Sequence, residues 1–220
     1  MAIGWQYLAE AGDSLGPRYR WEQAASLIVV NAASLVFMQT KRLILPSVLS
    51  LADVATFGVA STLVGSPFRM LQTGVGYTMV PRLRATTSAG ERRRLVAAEG
   101  RVAAVAVVAA AILAWLASSL IVRWFLAGKY QLEPALVAAT LFGGILRVIS
   151  AFATSIVTAL GSTRRLGLLG VIAWLSVAIG VAGGIIGARW GLSGLVFGVA
   201  AGWLFRCAVV SALALPFLRH

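Results

Sequence analysis

The sequence has few acidic residues, one cysteine and one histidine. Its 220 residues include 7 Asp and Glu against 19 Lys and Arg, which gives a formal net charge of +12. A lone Cys207 and a lone His220 exclude a disulfide framework and a Cys/His metal cluster. Only 12% of the residues are charged, against roughly 25% in soluble domains, so an ordinary globular enzyme is excluded too.

Apolar residues dominate instead. They make up 60% of the chain, and the mean hydropathy is +0.89. These values exclude disorder and predict an all-α, polytopic membrane protein. In such a protein, basic residues in the loops orient the helices across the membrane. We therefore expect membrane lipids as partners and no nucleic acid.

The chain divides into a polar tail, residues 1–23, and an apolar part, residues 24–218. The tail has no apolar core behind a basic start, so it predicts a connector and not a signal peptide. The apolar part predicts six membrane-spanning helices, each near the roughly 20 residues that a bilayer requires. Their predicted bounds are 24–45, 54–80, 102–126, 135–160, 166–188 and 192–217.

Basic residues fall unevenly on the two sides of these spans. Two lie in the joints of one side, Lys129 and Arg189. Ten lie on the side of the N-terminus: Arg18, Arg20, Arg82, Arg84, Arg92, Arg93, Arg94, Arg164, Arg165 and Arg219. Because basic loops stay in the cytoplasm, we expect both termini there, with a partly helical basic connector over residues 82–101.

Three arginines lie near the middle of predicted spans: Arg69, Arg147 and Arg206. A lipid-facing arginine at that depth costs about 2.5–3.5 kcal/mol, so we expect these side chains to face a wet interior. No acidic residue lies at similar depth, which favours an anionic substrate, phosphate in particular. Bonds to backbone carbonyls, or helix ends placed wrongly, remain open alternatives. Lys41 and Arg42 either extend this basic surface or anchor a helix at the interface.

Small and rigid residues predict helix contacts. Gly194, Gly198 and Gly202 repeat on one face of the last span, and Gly180 and Gly184 do so on the fifth. Such faces favour close packing, which we expect within the chain more than between chains. Pro67 predicts a kink in the second span. The tryptophans are expected to be interface anchors: Trp115, Trp124, Trp174, Trp190 and Trp203.

The sequence offers no basis for catalysis. It has no combination of Ser, His and acid within one motif, no paired carboxylates and no phosphate-cradling glycine loop. We therefore predict no catalytic residue, no enzyme activity, no cofactor and no metal site.

Several segments resemble one transporter family. Residues 40–60 contain Lys41-Arg42-Leu43-Ile44-Leu45, a short loop and then Val54-Ala55-Thr56-Phe57. Val80-Pro81-Arg82-Leu83 leads into a basic loop, and Gly161-Ser162-Thr163-Arg164 and Trp190-Gly191-Leu192-Ser193-Gly194 form later joints. Together with Arg18-Tyr19-Arg20-Trp21-Glu22, these segments resemble the C-terminal lobe of polysaccharide-export flippases, which belong to the multidrug, oligosaccharidyl-lipid and polysaccharide exporter superfamily.

The resemblance covers about residues 17–218 and implies one six-helix lobe of a flippase that moves lipid-linked oligosaccharide across the cytoplasmic membrane. Relatives hold the diphosphate in a basic cavity, so it implies phosphate binding at Arg69, Arg147, Arg206, Lys41 and Arg42. Lys41 stands where relatives commonly have an acid. Because relatives have two lobes, the resemblance also implies a second lobe, from a separate chain or by homodimerisation.

Two other functions remain open from the sequence. A drug or cation exporter of the same superfamily would require intramembrane carboxylates for its cationic substrate. A non-transporting membrane scaffold, or a truncated remnant of a flippase, would use the glycine faces and the basic connector without transport.

Overall fold

The computed structural model describes residues 21–124 and 132–219, and these residues are helical with short joints. The eight α-helices within them are α1 (Trp21–Val48), α2 (Leu51–Leu63), α3 (Ser66–Ala85), α4 (Ala89–Trp124), α5 (Pro134–Leu160), α6 (Thr163–Gly187), α7 (Gly191–Ala214) and α8 (Pro216–Arg219). A 3₁₀ turn, Ala188–Trp190, joins α6 to α7. The all-α prediction is therefore confirmed for the described residues. Of the predicted tail, only residues 21–23 lie among them, and they belong to α1.

Four helical runs are long and apolar enough to cross a membrane, or up to five if the bent pair α2 and α3 forms one crossing. This count is lower than the six predicted crossings. One reason is that Thr163–Leu218, a run of 56 residues, is counted as a single candidate span. The fourth, fifth and sixth predicted spans agree with α5, α6 and α7 to within about three residues. The chain is thus built as a membrane protein.

The second predicted span is two helices. α2 and α3 meet at a bend of 49°, with the break at Val64 and Gly65. Pro67 lies in the first turn of α3. Backbone N–H groups in a first turn have no acceptor within the helix, so the N–H that proline lacks costs no hydrogen bond there. The predicted kink is therefore present, but the helix restarts before Pro67 instead of bending at it.

The predicted connector is almost entirely helical. α3 continues through Pro81 to Ala85, and α4 begins at Ala89, well before residue 102, where the third span was predicted to begin. The Ser88 hydroxyl accepts from the Glu91 backbone N–H at 3.1 Å and so caps the start of α4. Only residues 86–88 separate the two helices.

α6 and α7 form an antiparallel hairpin with the most extensive packing in the fold. A Cβ on Gly198 would lie 2.0 Å from the Gly183 carbonyl oxygen, and one on Gly187 would lie 2.2 Å from that of Gly194. Gly191, at φ +76°, provides the reversal between the two helices. The prediction of glycine packing within the chain is confirmed at this seam.

The remaining helices are arranged around the hairpin. α5 lies between α3 and α7, and α1 packs on α6. Phe37 of α1 stacks on Trp203 of α7, with ring centroids 4.4 Å apart, at the centre of one apolar core. α4 lies at the edge, with only 6% of its most apolar stretch buried.

Candidate functional site

A small polar cavity lies where α1, α2, α3 and α5 meet. Its volume is about 60 Å³. Four cationic side chains line it together with four other residues: Lys41, Arg42, Arg69 and Arg147, with Met38, Gln39, Phe57 and Ser61. We call it the cation cavity. It brings together four of the five residues that the sequence predicts for a phosphate site.

Lys41 is a deep member of the cavity. Its side chain is only 4% exposed, although it lies seven residues before the end of α1. Its Nζ lies 3.8 Å from where a Cβ on Gly143 would stand, so the missing side chain at Gly143 makes room for the ammonium. Nζ also lies 5.8 Å from the centroid of the Phe57 ring. The interfacial-anchor alternative is therefore wrong for Lys41, since its ammonium turns inward.

Arg147 lies one turn after Gly143 on the same face of α5, thirteen residues from either helix end. Its guanidinium carbon lies 5.4 Å from the centroid of the Trp203 ring. Among the residues that the structure describes, neither Arg147 Nε nor Trp203 Nε1 has a hydrogen-bond acceptor, although both atoms are buried. These two N–H donors are thus available to an acceptor that the described residues do not supply.

Arg69 closes the cavity from the bend. It lies in the first turn of α3, and one terminal N–H of its guanidinium donates to the Ser61 carbonyl oxygen of α2 at 3.2 Å. This bond satisfies a carbonyl left free where the helix breaks. The alternative that central arginines bond backbone carbonyls therefore holds in part for Arg69. Arg69 also lines the cavity, and Arg42, an exposed residue, lies at the rim.

Arg206 does not line the cation cavity. It is 5% exposed, and its Nη1 donates to the Ser34 hydroxyl at 3.0 Å. Its guanidinium carbon lies 5.6 Å from the centroid of Trp203, the same ring that Arg147 contacts. Arg206 therefore contacts the Trp203 ring from outside the cation cavity, and phosphate binding at Arg206 stays a prediction.

No described carboxylate reaches the cavity. Asp53 accepts from Ser50 in a capping box at the start of α2, and Glu91 caps α4 with Ser88. Glu99 pairs with Arg82, and Glu133 accepts from the Ser193 hydroxyl at 3.0 Å. Among the described residues, the lining of the cation cavity therefore contains no carboxylate.

This arrangement favours an anion. Like charges brought together inside a protein repel each other, and a bound anion relieves that repulsion. Guanidinium groups present planar N–H donors that match phosphate oxygens, and an ammonium adds a point charge. The described residues contain no cluster of three or more His, Cys, Asp or Glu side chains that could hold a metal ion.

Sequence reasoning missed Trp203, which it assigned to a membrane interface. The side chain is 1% exposed and lies between α1, α5 and the rest of α7. Its position three residues before Arg206, on the same helical face, was the available signal. Trp115, Trp174 and Trp190 are exposed, as expected of anchors, and the Trp124 side chain lies outside the described residues.

Comparison of the chain with protein-family models, with curated proteins and with solved structures finds no match in any of the three.

Proposed function

We propose that this chain is one lobe of a transporter that moves a lipid-linked anionic saccharide across the cytoplasmic membrane, and that the cation cavity binds its phosphate groups. The observation that carries the proposal is the convergence of Lys41, Arg42, Arg69 and Arg147 on one cavity with no described carboxylate among its lining. The segments that resemble polysaccharide-export flippases, which include Lys41 and Arg42, favour the same substrate class.

The proposed lobe crosses the membrane six times. α6 and α7 have 25 and 24 residues, or about 36–38 Å at 1.5 Å per residue, which exceeds a hydrocarbon core of about 30 Å. Their antiparallel hairpin then provides two crossings. With α1, the bent pair α2 and α3, α4 and α5, the total is six. The ten basic residues that the sequence places on the side of the N-terminus support a cytoplasmic location of both termini.

In the proposed binding mode, Lys41 and Arg147 provide the deepest charges and Arg42 receives the substrate at the rim. Arg147 Nε is a buried donor of a residue that lines the cavity, and it has no hydrogen-bond partner among the described residues. The cavity volume of about 60 Å³ is at least about four times the roughly 10–15 Å³ that one water occupies, so the cavity has room for a few oxygen atoms, as in a phosphoryl group. The saccharide would remain outside this cavity, against the second lobe.

The resemblance implies that the second lobe comes from another chain or from a second copy of this one. A cation exporter is less well supported, because a cationic substrate would meet the like charges of Lys41 and the three arginines. The proposed binding requires no covalent chemistry.

The test is native mass spectrometry of the chain in lipid particles, with a polyprenyl diphosphate as probe and the uncharged polyprenol as its neutral counterpart. We expect the diphosphate to bind and the polyprenol to bind far more weakly. The same spectra report whether the chain is a monomer, a dimer or joined to another chain. A lipid tail alone would not discriminate between the two probes.

The matched variants are Lys41→Gln with Arg147→Gln, and Arg84→Gln, which removes an exposed arginine outside the cavity. A hydrogen bond to a charged group contributes about 1.5–3 kcal/mol, so the double variant should bind the diphosphate at least tenfold more weakly. Arg84→Gln should bind like the wild type. A folded double variant with unchanged affinity would overturn the site, and a wild-type monomer indifferent to the diphosphate would favour a scaffold or remnant.

A further inference from the structure

A second and larger cavity lies on another face of α5. It is an apolar groove of about 470 Å³ between α4, α5 and the end of α7 with α8. Ala103, Ala104 and Val107 of α4 form one wall, and Ile149 and Phe152 of α5 form the other. Ser211 provides the only hydroxyl among the described lining residues. The volume falls within the roughly 300–1,000 Å³ of small-molecule sites.

Small residues on α4 keep this groove open. A Cβ on Gly100 would stand 3.8 Å from Phe152 Cζ, an ordinary contact, and the alanines beside it do not reach α5 with longer side chains. α4 packs against α5 over a short length only, as its small buried fraction indicates. The helices α4 and α5 therefore leave the groove open between them, and its apolar walls bind water poorly.

One end of the groove is basic. Leu218 lines that end, and Arg93 Nε donates to its carbonyl oxygen. The Arg165 guanidinium lies 4.4 Å from the centroid of the neighbouring Phe217 ring. Arg92 lies one turn before the lining residue Val96 on α4, and its buried Nε has no hydrogen-bond partner among the described residues.

The two described carboxylates of α4 have other partners. Glu99 pairs with Arg82, and Glu91 caps α4. A neutral chain would fill the groove but leave the buried Arg92 donor unbonded. A free phosphate would meet the arginines but leave the apolar walls without a partner. The occupant that satisfies both parts has an apolar chain and an anionic head.

We propose that this groove binds one acyl chain of an anionic glycerophospholipid, whose phosphate lies at Arg92 and Arg165. The site is separate from the cation cavity, because Ile145 and Ile149 of α5 face the groove whereas Arg147 lines the cavity. Basic pockets at the membrane end of apolar grooves recognise anionic headgroups by the same combination of charge and burial. The proposal goes beyond the transport function and does not require it.

The experiment measures lipid binding to the full chain by native mass spectrometry, with phosphatidylglycerol and phosphatidylcholine of identical acyl chains. Each arginine near a headgroup contributes about fivefold in affinity, which is about 1 kcal/mol converted at 1.4 kcal/mol per tenfold. We expect phosphatidylglycerol to bind about 5- to 30-fold more tightly. Glycerol phosphate at millimolar concentration should not displace it, because it has no chain to fill the groove.

Two variants separate head from chain. Arg92→Gln with Arg165→Gln should remove the preference for phosphatidylglycerol while weak binding of both lipids persists. Gly100→Leu, which keeps both arginines and fills the groove, should reduce binding of both lipids at least tenfold. The controls are Arg84→Gln and Gly74→Leu, since a Cβ on Gly74 meets nothing within 4 Å.

Equal affinity for the two lipids in the wild type would overturn the proposal. So would undiminished binding to folded Gly100→Leu protein, because the lipid would then bind elsewhere. Polyprenyl diphosphate binding at the cation cavity should be unchanged in both variants, so failure of this site and failure of the transport proposal are distinguishable.

Discussion

Helix α4 and the hairpin of α6 and α7 have almost the same hydropathy and opposite surroundings. The mean hydropathy of the most apolar stretch is 2.1 in α4 and 2.2 in the run from Thr163 to Leu218. Yet 6% of that stretch is buried in α4, against 44% in the run that contains the hairpin. Hydropathy thus indicates which segments can enter a bilayer, but it does not indicate which of them pack together.

The difference arises from small residues. Lipid tails are as apolar as leucine, so helices in a bilayer associate by close contact and polar bonds rather than by apolar burial. In the hairpin, Gly183 and Gly198 bring two backbones into contact. In α4, a Cβ on Gly90 meets nothing within 4 Å, and one on Gly100 meets only Phe152. Glycine therefore contributes to helix packing where it faces another backbone, and contributes much less elsewhere.

The largest effect is expected from Gly198→Leu. Its Cβ would lie 2.0 Å from the Gly183 carbonyl oxygen, and backbone cannot move aside without separating α6 from α7. We expect a loss of more than about 4 kcal/mol, which leaves little folded protein. Fluorescence-detected size exclusion and thermal unfolding in lipid particles measure it.

The matched control for this variant is Gly74→Leu on α3, whose Cβ meets nothing within 4 Å. Replacing glycine within an exposed helix should stabilise by about 0.5–1 kcal/mol. Equal stability of the two variants would refute the claim that the glycine seam holds the hairpin.

The next effect is expected when α4 receives an arginine. Leu113 is 66% exposed and lies in the uncharged run of residues 102–122, so an arginine there faces lipid. Leu113→Arg should cost about 2.5–3.5 kcal/mol in membrane insertion, measured as the inserted fraction in a glycosylation assay. Gly90→Arg, at the polar start of α4, should insert normally. Normal insertion of Leu113→Arg would mean that this face of α4 is covered by protein.

Arg206→Gln tests the opposite case, an arginine that the hairpin shields from lipid. The change removes the bond to the Ser34 hydroxyl and the contact with Trp203. A hydrogen bond to a charged group contributes about 1.5–3 kcal/mol, and relief from burying the charge offsets part of it. We expect about 1–2 kcal/mol lower thermal stability.

A double-mutant cycle with Ser34→Ala isolates the bond between Arg206 and Ser34. A coupling energy of about 0.5 kcal/mol or more is expected for residues in contact. Independent, additive effects of the two changes would show that Arg206 is held by other contacts.

The smallest effect is expected from Ile112→Ala on α4. Ile112 is 54% exposed, so truncation exchanges one lipid contact for another and should change stability by less than about 0.5 kcal/mol. Leu195→Ala on α7 truncates a side chain that is fully buried and should cost about 2–5 kcal/mol. Thermal unfolding of the pair measures the contrast, and similar costs would contradict the peripheral position of α4.

Much of the site could be predicted from residue type and spacing. Lys41, Arg42, Arg69 and Arg147 drew attention because charge is costly inside a membrane, and they do converge. Arg206 was chosen for the same reason, but its guanidinium donates to the hydroxyl of Ser34, more than 170 positions earlier in the chain. No local sequence pattern predicts such a contact. Trp203 was misplaced for the same reason, because tryptophan is common both at interfaces and in cores.

The sequence by itself determined that the chain is helical and apolar enough for a membrane, that few carboxylates exist to neutralise its arginines, and that glycines repeat along α6 and α7. These are properties of composition and local periodicity. Only the tertiary structure decided that the second span breaks before Pro67, that Gly143 makes room for Lys41, and that one face of α5 lines a charged cavity while another lines an apolar groove. Those features depend on contacts between distant segments, whose geometry is set by how backbones pack rather than by any single helix.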